Sequence, residues 1–170
     1  SMNVDNVLCD IATEPDERYA LQAATSPTGV ISQERLFTWN GYAELISGIR
    51  AAGYEFLRFL DVPVPGIRSF YLRHDVDFSP RGAARMGEIE SEAGIRANYF
   101  FMLNPGTYLP LSDETLAIMR DLRKTGHCVG LHVDGVLFNH DEPRIRDTLR
   151  WFSECVQAID PVVSFHRPDR

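Results

Sequence analysis

The stretch Arg73-His74-Asp75-Val76-Asp77 follows the apolar segment Phe70-Tyr71-Leu72 and places two carboxylates and an imidazole where a strand should end. Side chains at i and i+2 of a strand share one face, so Asp75 and Asp77 can be aimed at one point. Two carboxylates this close repel each other, and a divalent cation is a common reason for such an arrangement. The alternative interpretation is a solvated acidic turn, or Asp77 capping the following helix.

Outward from this stretch, strands and helices alternate along the chain. The predicted strands are residues 54–59, 68–73, 96–103, 127–132 and 162–166. The predicted helices run from the Thr38 cap to Gly53, over 81–93, from the Ser112 cap to Gly126, and over 143–159. Repeated βα units of roughly thirty residues predict an α/β fold with a parallel sheet. We expect an N-terminal arm over residues 1–37 and one (β/α) domain over residues 38–170.

Polar side chains follow four of the predicted strands. They are Asp75 and Asp77, Asn104 and Tyr108, His132 and Asp134, and His166 and Arg167. In parallel α/β folds the loops at the carboxyl ends of the strands converge on one mouth, where sites are built. Agreement among four strands therefore predicts a functional site at this edge of the sheet.

Each candidate also has a structural interpretation. His127 directly follows a helix end and is expected to hydrogen-bond a carbonyl there, while Asp141 is expected to cap a helix. A lone histidine such as His132 at the end of an apolar strand is more often a core residue than a ligand, and Arg167 could be a surface arginine. The aromatic run Tyr99-Phe100-Phe101 is expected in the core.

Composition excludes several classes of function. The chain has 170 residues and a net charge of −7, which argues against nucleic acid as the main partner. No apolar run reaches the length of a membrane span, and the N-terminus lacks the pattern of a signal peptide. Three widely spaced cysteines, Cys9, Cys128 and Cys155, favour reduced thiols and a cytoplasmic location over a disulfide framework. The oligomeric state is left open.

Four segments come in the order seen in a known family. They are His74–Asp77, Ala97–Phe101, Gly126–His132 and Phe165–Pro168. In this order they resemble the NodB-type polysaccharide deacetylases, carbohydrate esterases that remove N- or O-acetyl groups from glycans. The resemblance implies a (β/α) barrel of the polysaccharide deacetylase type. We expect an incomplete or truncated barrel, because the family's later motifs, which supply a hydrophobic wall and an acid-catalyst histidine, are absent from this sequence.

The resemblance also implies roles for individual residues. Asp75 corresponds to the catalytic base and Asp77 to a metal ligand, in the form of the motif that separates them by one residue. His132 corresponds to the first metal histidine. Arg167, which is followed by Pro168, corresponds to the arginine that pairs with the base.

One metal ligand of the family is missing from its usual position. The second metal histidine would stand four residues after the first, where this chain has Val136. The candidates to replace it are His166, His140 and Asp134. His166 is the expected ligand, because it sits on a neighbouring strand end beside the Arg-Pro pair. Two histidines and an aspartate suit a divalent metal, and zinc is the expected ion.

These parts predict a metal-dependent hydrolase that removes acetyl or other N- or O-acyl groups from a sugar or polysaccharide. Asn104 and Tyr108 are the expected contacts with the glycan. The alternative hypothesis is a non-catalytic deacetylase-like module in surface polysaccharide biosynthesis with a degraded metal site, which Val136 favours. A third hypothesis is a hydrolase of another small amide with the same metal chemistry.

Overall fold

The structure is a computed structural model, and it describes residues 37–139, 141–157 and 159–166. The predicted arm over residues 1–37 lies outside these ranges apart from Phe37, so it stays a prediction. His140, Arg167 and Pro168 also lie outside the described residues.

Strands and helices alternate along the described chain from Arg73 onward, after one helix and two short strands. In order they are α1 (Trp39–Ala51), β1 (Tyr54–Phe56), β2 (Arg68–Phe70), β3 (Arg73–Val76), α2 (Pro80–Glu92), β4 (Asn98–Met102), α3 (Asp113–Lys124), β5 (Cys128–Asp134), α4 (Glu142–Val156) and β6 (Val163–His166). Strands β3, β4, β5 and β6 form one parallel sheet in that order, and β1 pairs with β2 in a separate parallel pair. The larger sheet curls into half of a barrel. The predicted mixed α/β fold with parallel strands is therefore confirmed.

The predicted strand 68–73 is wrong as a single element, because β2 pairs with β1 whereas β3 pairs with β4. The side chain of Asn98 lies at the break. Its amide nitrogen donates to the carbonyls of Leu57 (3.3 Å) and Leu72 (2.9 Å), and its oxygen accepts from the N–H of Phe59 (2.7 Å). These bonds satisfy backbone groups where the chain passes from the small sheet to the large one. Residues 68–73 contain no glycine or proline that would end a strand. The segment is therefore divided by these tertiary contacts.

Two element ends also differ from the prediction. The predicted strand 54–59 is shorter, because Arg58 and Asp61 close a turn in which the Arg58 N–H donates to Asp61 Oδ2 at 2.8 Å. The helix predicted over 143–159 ends with α4, where Gln157 adopts a left-handed conformation with φ of 52°. A left-handed residue directly after the last turn stops a helix.

Each of the four helices in the described ranges begins at a polar cap. The caps are Thr38, Ser79, Ser112 and Asp141, and each side chain accepts a backbone N–H of the first turn. Ser79 Oγ accepts the Gly82 N–H at 3.0 Å and so caps α2. The interpretation of Asp77 as the cap of this helix is therefore wrong, and its carboxylate remains outside the helix.

The two faces of the large sheet have different environments, because side chains alternate along each strand. Tyr99 and Phe101 of β4 are fully buried in the core under the helices. Phe100 is also buried, but on the concave face, where its ring packs against Phe59. A Cβ on Gly130, the partner of Phe100 in β5, would lie 2.9 Å from that ring and 2.5 Å from the Val162 carbonyl oxygen. The concave face is thus tightly packed below the carboxyl ends of the strands.

Candidate metal centre

The carboxyl ends of three strands bring Asp77, His132 and His166 together. One ligand atom from each of these three side chains lies within 4.8 Å of the others. His132 Nε2 is 3.6 Å from Asp77 Oδ1 and 3.1 Å from His166 Nδ1, and His166 Nδ1 is 3.9 Å from Asp77 Oδ2. Ligands with bonds of about 2.0 Å to a tetrahedral ion are separated by roughly 3.3 Å. The three side chains therefore form a group that could hold a metal ion.

Asp77 carries a polar atom that the protein leaves unsatisfied. Its Oδ1 is buried and has no hydrogen-bond partner within the described part of the chain. A buried carboxylate oxygen without a hydrogen-bond partner raises the free energy of the folded state, and a bound cation would offset that penalty. Two imidazole nitrogens and one carboxylate oxygen also form a donor set that suits zinc. The residues present thus fit a divalent metal.

His132 is placed by β5 and is only 2% exposed. Burial lowers the pKa of His132, against the opposing attraction of Asp75 and Asp77. A lowered pKa favours the neutral imidazole, which is the form that binds a metal. His132 is therefore suited to be a ligand, and its interpretation as an isolated core histidine does not describe this site.

Asp75 lies beside the three potential ligands, within β3 and not after the strand as predicted. Its Oδ1 is 3.7 Å from His132 Nδ1. Its carboxylate forms two hydrogen bonds with Arg73, Nε to Oδ1 at 2.9 Å and Nη2 to Oδ2 at 2.6 Å. Ser164 Oγ also donates to Asp75 Oδ1 at 3.3 Å. The predicted partner, Arg167, lies outside the described residues, so that pairing stays a prediction.

Arg73 and Ser164 were not identified from the sequence. Arg73 stands two residues before Asp75, so strand alternation alone places both side chains on one face. Strand alternation is therefore the signal in the sequence that points to Arg73. Ser164 could not be found in this way, because its contact depends on the pairing of β5 with β6, where it is the register partner of His132.

The predicted substrate contacts lie in the loop after β4. Asn104 is exposed there. The Tyr108 hydroxyl donates to the Val76 carbonyl at 2.6 Å and accepts from the Met102 N–H at 2.9 Å. Burial raises the pKa of this phenol, which keeps it neutral. Tyr108 thus joins the ends of β3 and β4, and a contact of either residue with a glycan stays a prediction.

Asp134 and His140 are the other two candidates for a metal ligand. Asp134 Oδ1 accepts the Val136 N–H at 3.0 Å, and Asp134 is not in the group of three side chains. His140 is outside the described ranges. Val136, at the position of the family's second metal histidine, is 57% exposed in the turn after β5. His166 is the candidate that the fold brings to Asp77.

Two further histidines face away from this centre, into the core. His74 Nε2 is 2.6 Å from Glu90 Oε1, and the Tyr99 hydroxyl donates to Glu90 Oε2 at 2.6 Å. The Tyr42 hydroxyl donates to the same carboxylate. His127 Nδ1 accepts the Ala97 N–H at 3.1 Å and lies 3.5 Å from Glu90 Oε2. We call these side chains the Glu90 cluster: Tyr42, His74, Glu90, Tyr99 and His127.

Comparison with known proteins adds no relative. A scan against known protein families, a search of curated proteins and a search of solved structures each found no match. No helix in the described ranges has both the length and the apolar character needed to cross a membrane.

Proposed function

We propose that this protein is a metal-dependent hydrolase that removes acetyl or other N- or O-acyl groups from a sugar or polysaccharide. The observation that carries the proposal is the convergence of Asp77, His132 and His166 at one edge of the sheet, with Asp75 beside them. The order of sequence motifs resembles the NodB-type polysaccharide deacetylases, and it supports the choice of an acylated glycan as substrate. In this proposal the four-stranded sheet is part of a deacetylase-type (β/α) barrel.

Asp77, His132 and His166 would hold the metal, and zinc is the ion that best suits them. The metal, when bound, supplies Lewis-acid polarisation of an acyl carbonyl and makes water more acidic. Three protein ligands are the number usual for a catalytic zinc site, because one position must stay open. The valine at position 136 therefore does not leave the site short of a ligand when His166 contributes.

Asp75 is the residue of this chain that would take the proton from the attacking water. It is only partly buried, so water can reach it, and its position 3.7 Å from His132 puts it next to the proposed ligands. Arg73 holds both oxygens of its carboxylate and thereby fixes its orientation. The Arg73 guanidinium is itself held over the Phe100 ring, 5.6 Å from the centroid. The base is thus held by residues of the concave face.

Exposed apolar side chains flank the carboxyl ends of β3 and β4. Phe78 directly follows Asp77 and is exposed, and Leu109 follows Tyr108 and is exposed. Aromatic and aliphatic surface beside a few polar groups is typical of sites for organic ligands. These loops support an acylated sugar as the ligand of the site.

The test is acetate release from acetylated chito-oligosaccharides by the purified full chain with added Zn²⁺ or Co²⁺. We expect turnover by the wild type, a fall of about 10²–10⁴ in kcat for Asp75→Asn, and retained metal binding in that variant. Asp121→Asn, an exposed aspartate of α3 paired with Lys124, is the matched control and should keep full activity.

The non-catalytic deacetylase-like module remains the competing proposal, and Val136 is the residue that favours it. Metal binding without turnover on any acylated glycan would support that module and reject the hydrolase. Full activity in Asp75→Asn would keep the hydrolase but remove Asp75 from its mechanism.

A further inference from the structure

Ser164 lies between the proposed base and a proposed metal ligand. It is 7% exposed and stands on β6 directly opposite His132 in the register of the sheet. Its Oγ is 2.7 Å from His132 Nδ1 and 3.3 Å from Asp75 Oδ1. One buried hydroxyl therefore contacts both groups.

The direction of these hydrogen bonds follows from the chemistry of their partners. The Asp75 carboxylate, paired with Arg73, can only accept, so the Ser164 O–H donates to Asp75 Oδ1. Ser164 Oγ then accepts the second hydrogen bond, which His132 donates through a proton on Nδ1. Asp75 Oδ1 lies 3.7 Å from His132 Nδ1 and is a second acceptor on that side of the ring. Both neighbours favour a proton on Nδ1.

A proton on Nδ1 leaves the lone pair of the neutral imidazole on Nε2. Nε2 is the atom that faces Asp77 Oδ1 at 3.6 Å and His166 Nδ1 at 3.1 Å. The same assignment makes His166 Nδ1–H the donor of the 3.1 Å hydrogen bond. The hydroxyl thus controls which nitrogen of His132 is available at the centre.

We propose that Ser164 is a positioning residue that holds His132 in the Nδ1-protonated tautomer, with the lone pair of Nε2 directed at Asp77 and His166. Ser164 also links His132 to the ion pair of Asp75 and Arg73. The inference rests on the metal site of the proposed function, but not on hydrolysis. Partners that orient a metal-bound histidine typically contribute about 10–100-fold to metal affinity.

The first measurement is the tautomer of His132 in the metal-free full chain. Long-range ¹H–¹⁵N correlation spectra of labelled protein distinguish a protonated from an unprotonated ring nitrogen, and the loss of signals in His132→Gln assigns them. We expect a protonated Nδ1 and an unprotonated Nε2 in the wild type. Ser164→Ala should show a mixture of tautomers, and Ser164→Thr, which keeps the hydroxyl, should restore the wild-type pattern.

The second measurement is the affinity for Zn²⁺ and Co²⁺ by competition with a chelator. We expect about a 10–100-fold loss in Ser164→Ala and a much smaller loss in Ser164→Thr. Ser91→Ala is the matched control. It removes a hydroxyl 3.0 Å from Nε2 of His127, a histidine of the Glu90 cluster, and should leave metal affinity unchanged.

Two results would overturn the proposal. One is an Nε2-protonated His132 in the wild type, and the other is a wild-type tautomer together with wild-type metal affinity in Ser164→Ala. If the wild type binds no metal, the metal site of the proposed function fails, while the tautomer spectra still decide the role of Ser164. If Ser164→Ala does not fold, Ser164→Cys, which replaces the hydroxyl with a weak donor and acceptor, takes its place in both measurements.

Discussion

Arg73 and Asp75, two residues apart on β3, form a two-point ion pair on the concave face of the sheet. The distances are 2.9 Å from Nε to Oδ1 and 2.6 Å from Nη2 to Oδ2. A planar guanidinium matched to both carboxylate oxygens fixes orientation as well as charge. The pair therefore gives the proposed base a defined direction from within its own strand.

Arg73→Ala should lower kcat about tenfold or more with a smaller change in KM, because Asp75 loses its fixed direction. Arg73→Lys should recover only part of the loss, because an ammonium group cannot form the two-point contact. The measurement is steady-state acetate release. Arg85→Ala, which removes an exposed pair with Glu88 in α2, is the control. Equal kcat in Arg73→Ala and the control would contradict a role for Arg73 in positioning.

Zinc should raise the melting temperature of the wild type, because a ligand that binds only the folded state stabilises it by mass action. At about 100 times the dissociation constant the gain is about 2.7 kcal/mol. Asp77→Ala, His132→Ala and His166→Ala should each abolish the shift in thermal unfolding monitored by circular dichroism. Asp113→Ala, on α3, should keep it. A shift that survives in all three variants would place the ion elsewhere.

Glu90→Gln should reduce the free energy of unfolding by about 3–5 kcal/mol, because it removes one partner of a buried charged network. Glu90 is 0% exposed and its carboxylate is bonded to His74, Tyr42 and Tyr99. Urea unfolding measures the change. Glu88→Gln on the exposed face of the same helix is the control. A loss below about 1 kcal/mol would show that the carboxylate charge is not needed there.

Stability should fall as the pH is lowered below about 6.5, because of His127. Burial lowers the pKa of His127 in the folded state, despite the attraction of Glu90. The unfolded chain therefore takes up a proton first as the pH falls, which favours unfolding. Urea unfolding at several pH values should show this slope, and His127→Gln should reduce it below about pH 6.5. An unchanged slope in that variant would assign the effect to other groups.

A second loss of stability should follow at lower pH, because of Glu90. Burial raises the pKa of Glu90, but attraction to His74 and hydrogen bonds from His74, Tyr42 and Tyr99 outweigh it, so the net pKa is lowered. Its contribution is therefore present above the ordinary glutamate value and is lost as the pH falls through the folded value. The same unfolding series extended below pH 4.5 measures this loss. Glu90→Gln should lack it.

The local sequence was enough to predict several helix ends and the edge of the sheet at which the site lies. Thr38, Ser112 and Asp141 cap helices as predicted, since capping depends on the backbone within the first turn. Gly53 and Gly126 follow helices with positive φ, as their positions indicated. The meeting of Asp77, His132 and His166 was also predicted, because parallel strands place their carboxyl ends at one edge.

Other features depended on contacts between residues distant in sequence. The break between β2 and β3 follows from the side chain of Asn98, which comes from another strand. The distances of Asp77 to His166 and His132 follow from how β3, β5 and β6 lie in the sheet. Neither could be deduced from hydrophobic periodicity, because periodicity reports which face is buried and not which strands are neighbours.

The sequence by itself determined the α/β alternation, the caps Thr38, Ser112 and Asp141, and the edge at which the polar residues gather, because each of these depends on neighbouring residues or on the alternation of a strand. The tertiary structure alone decided that Ser164 contacts both Asp75 and His132. That contact joins β3, β5 and β6, and its distances are set by strand register and by the close packing that Gly130 permits. Register is a property of paired strands, so no single segment of the chain contains it.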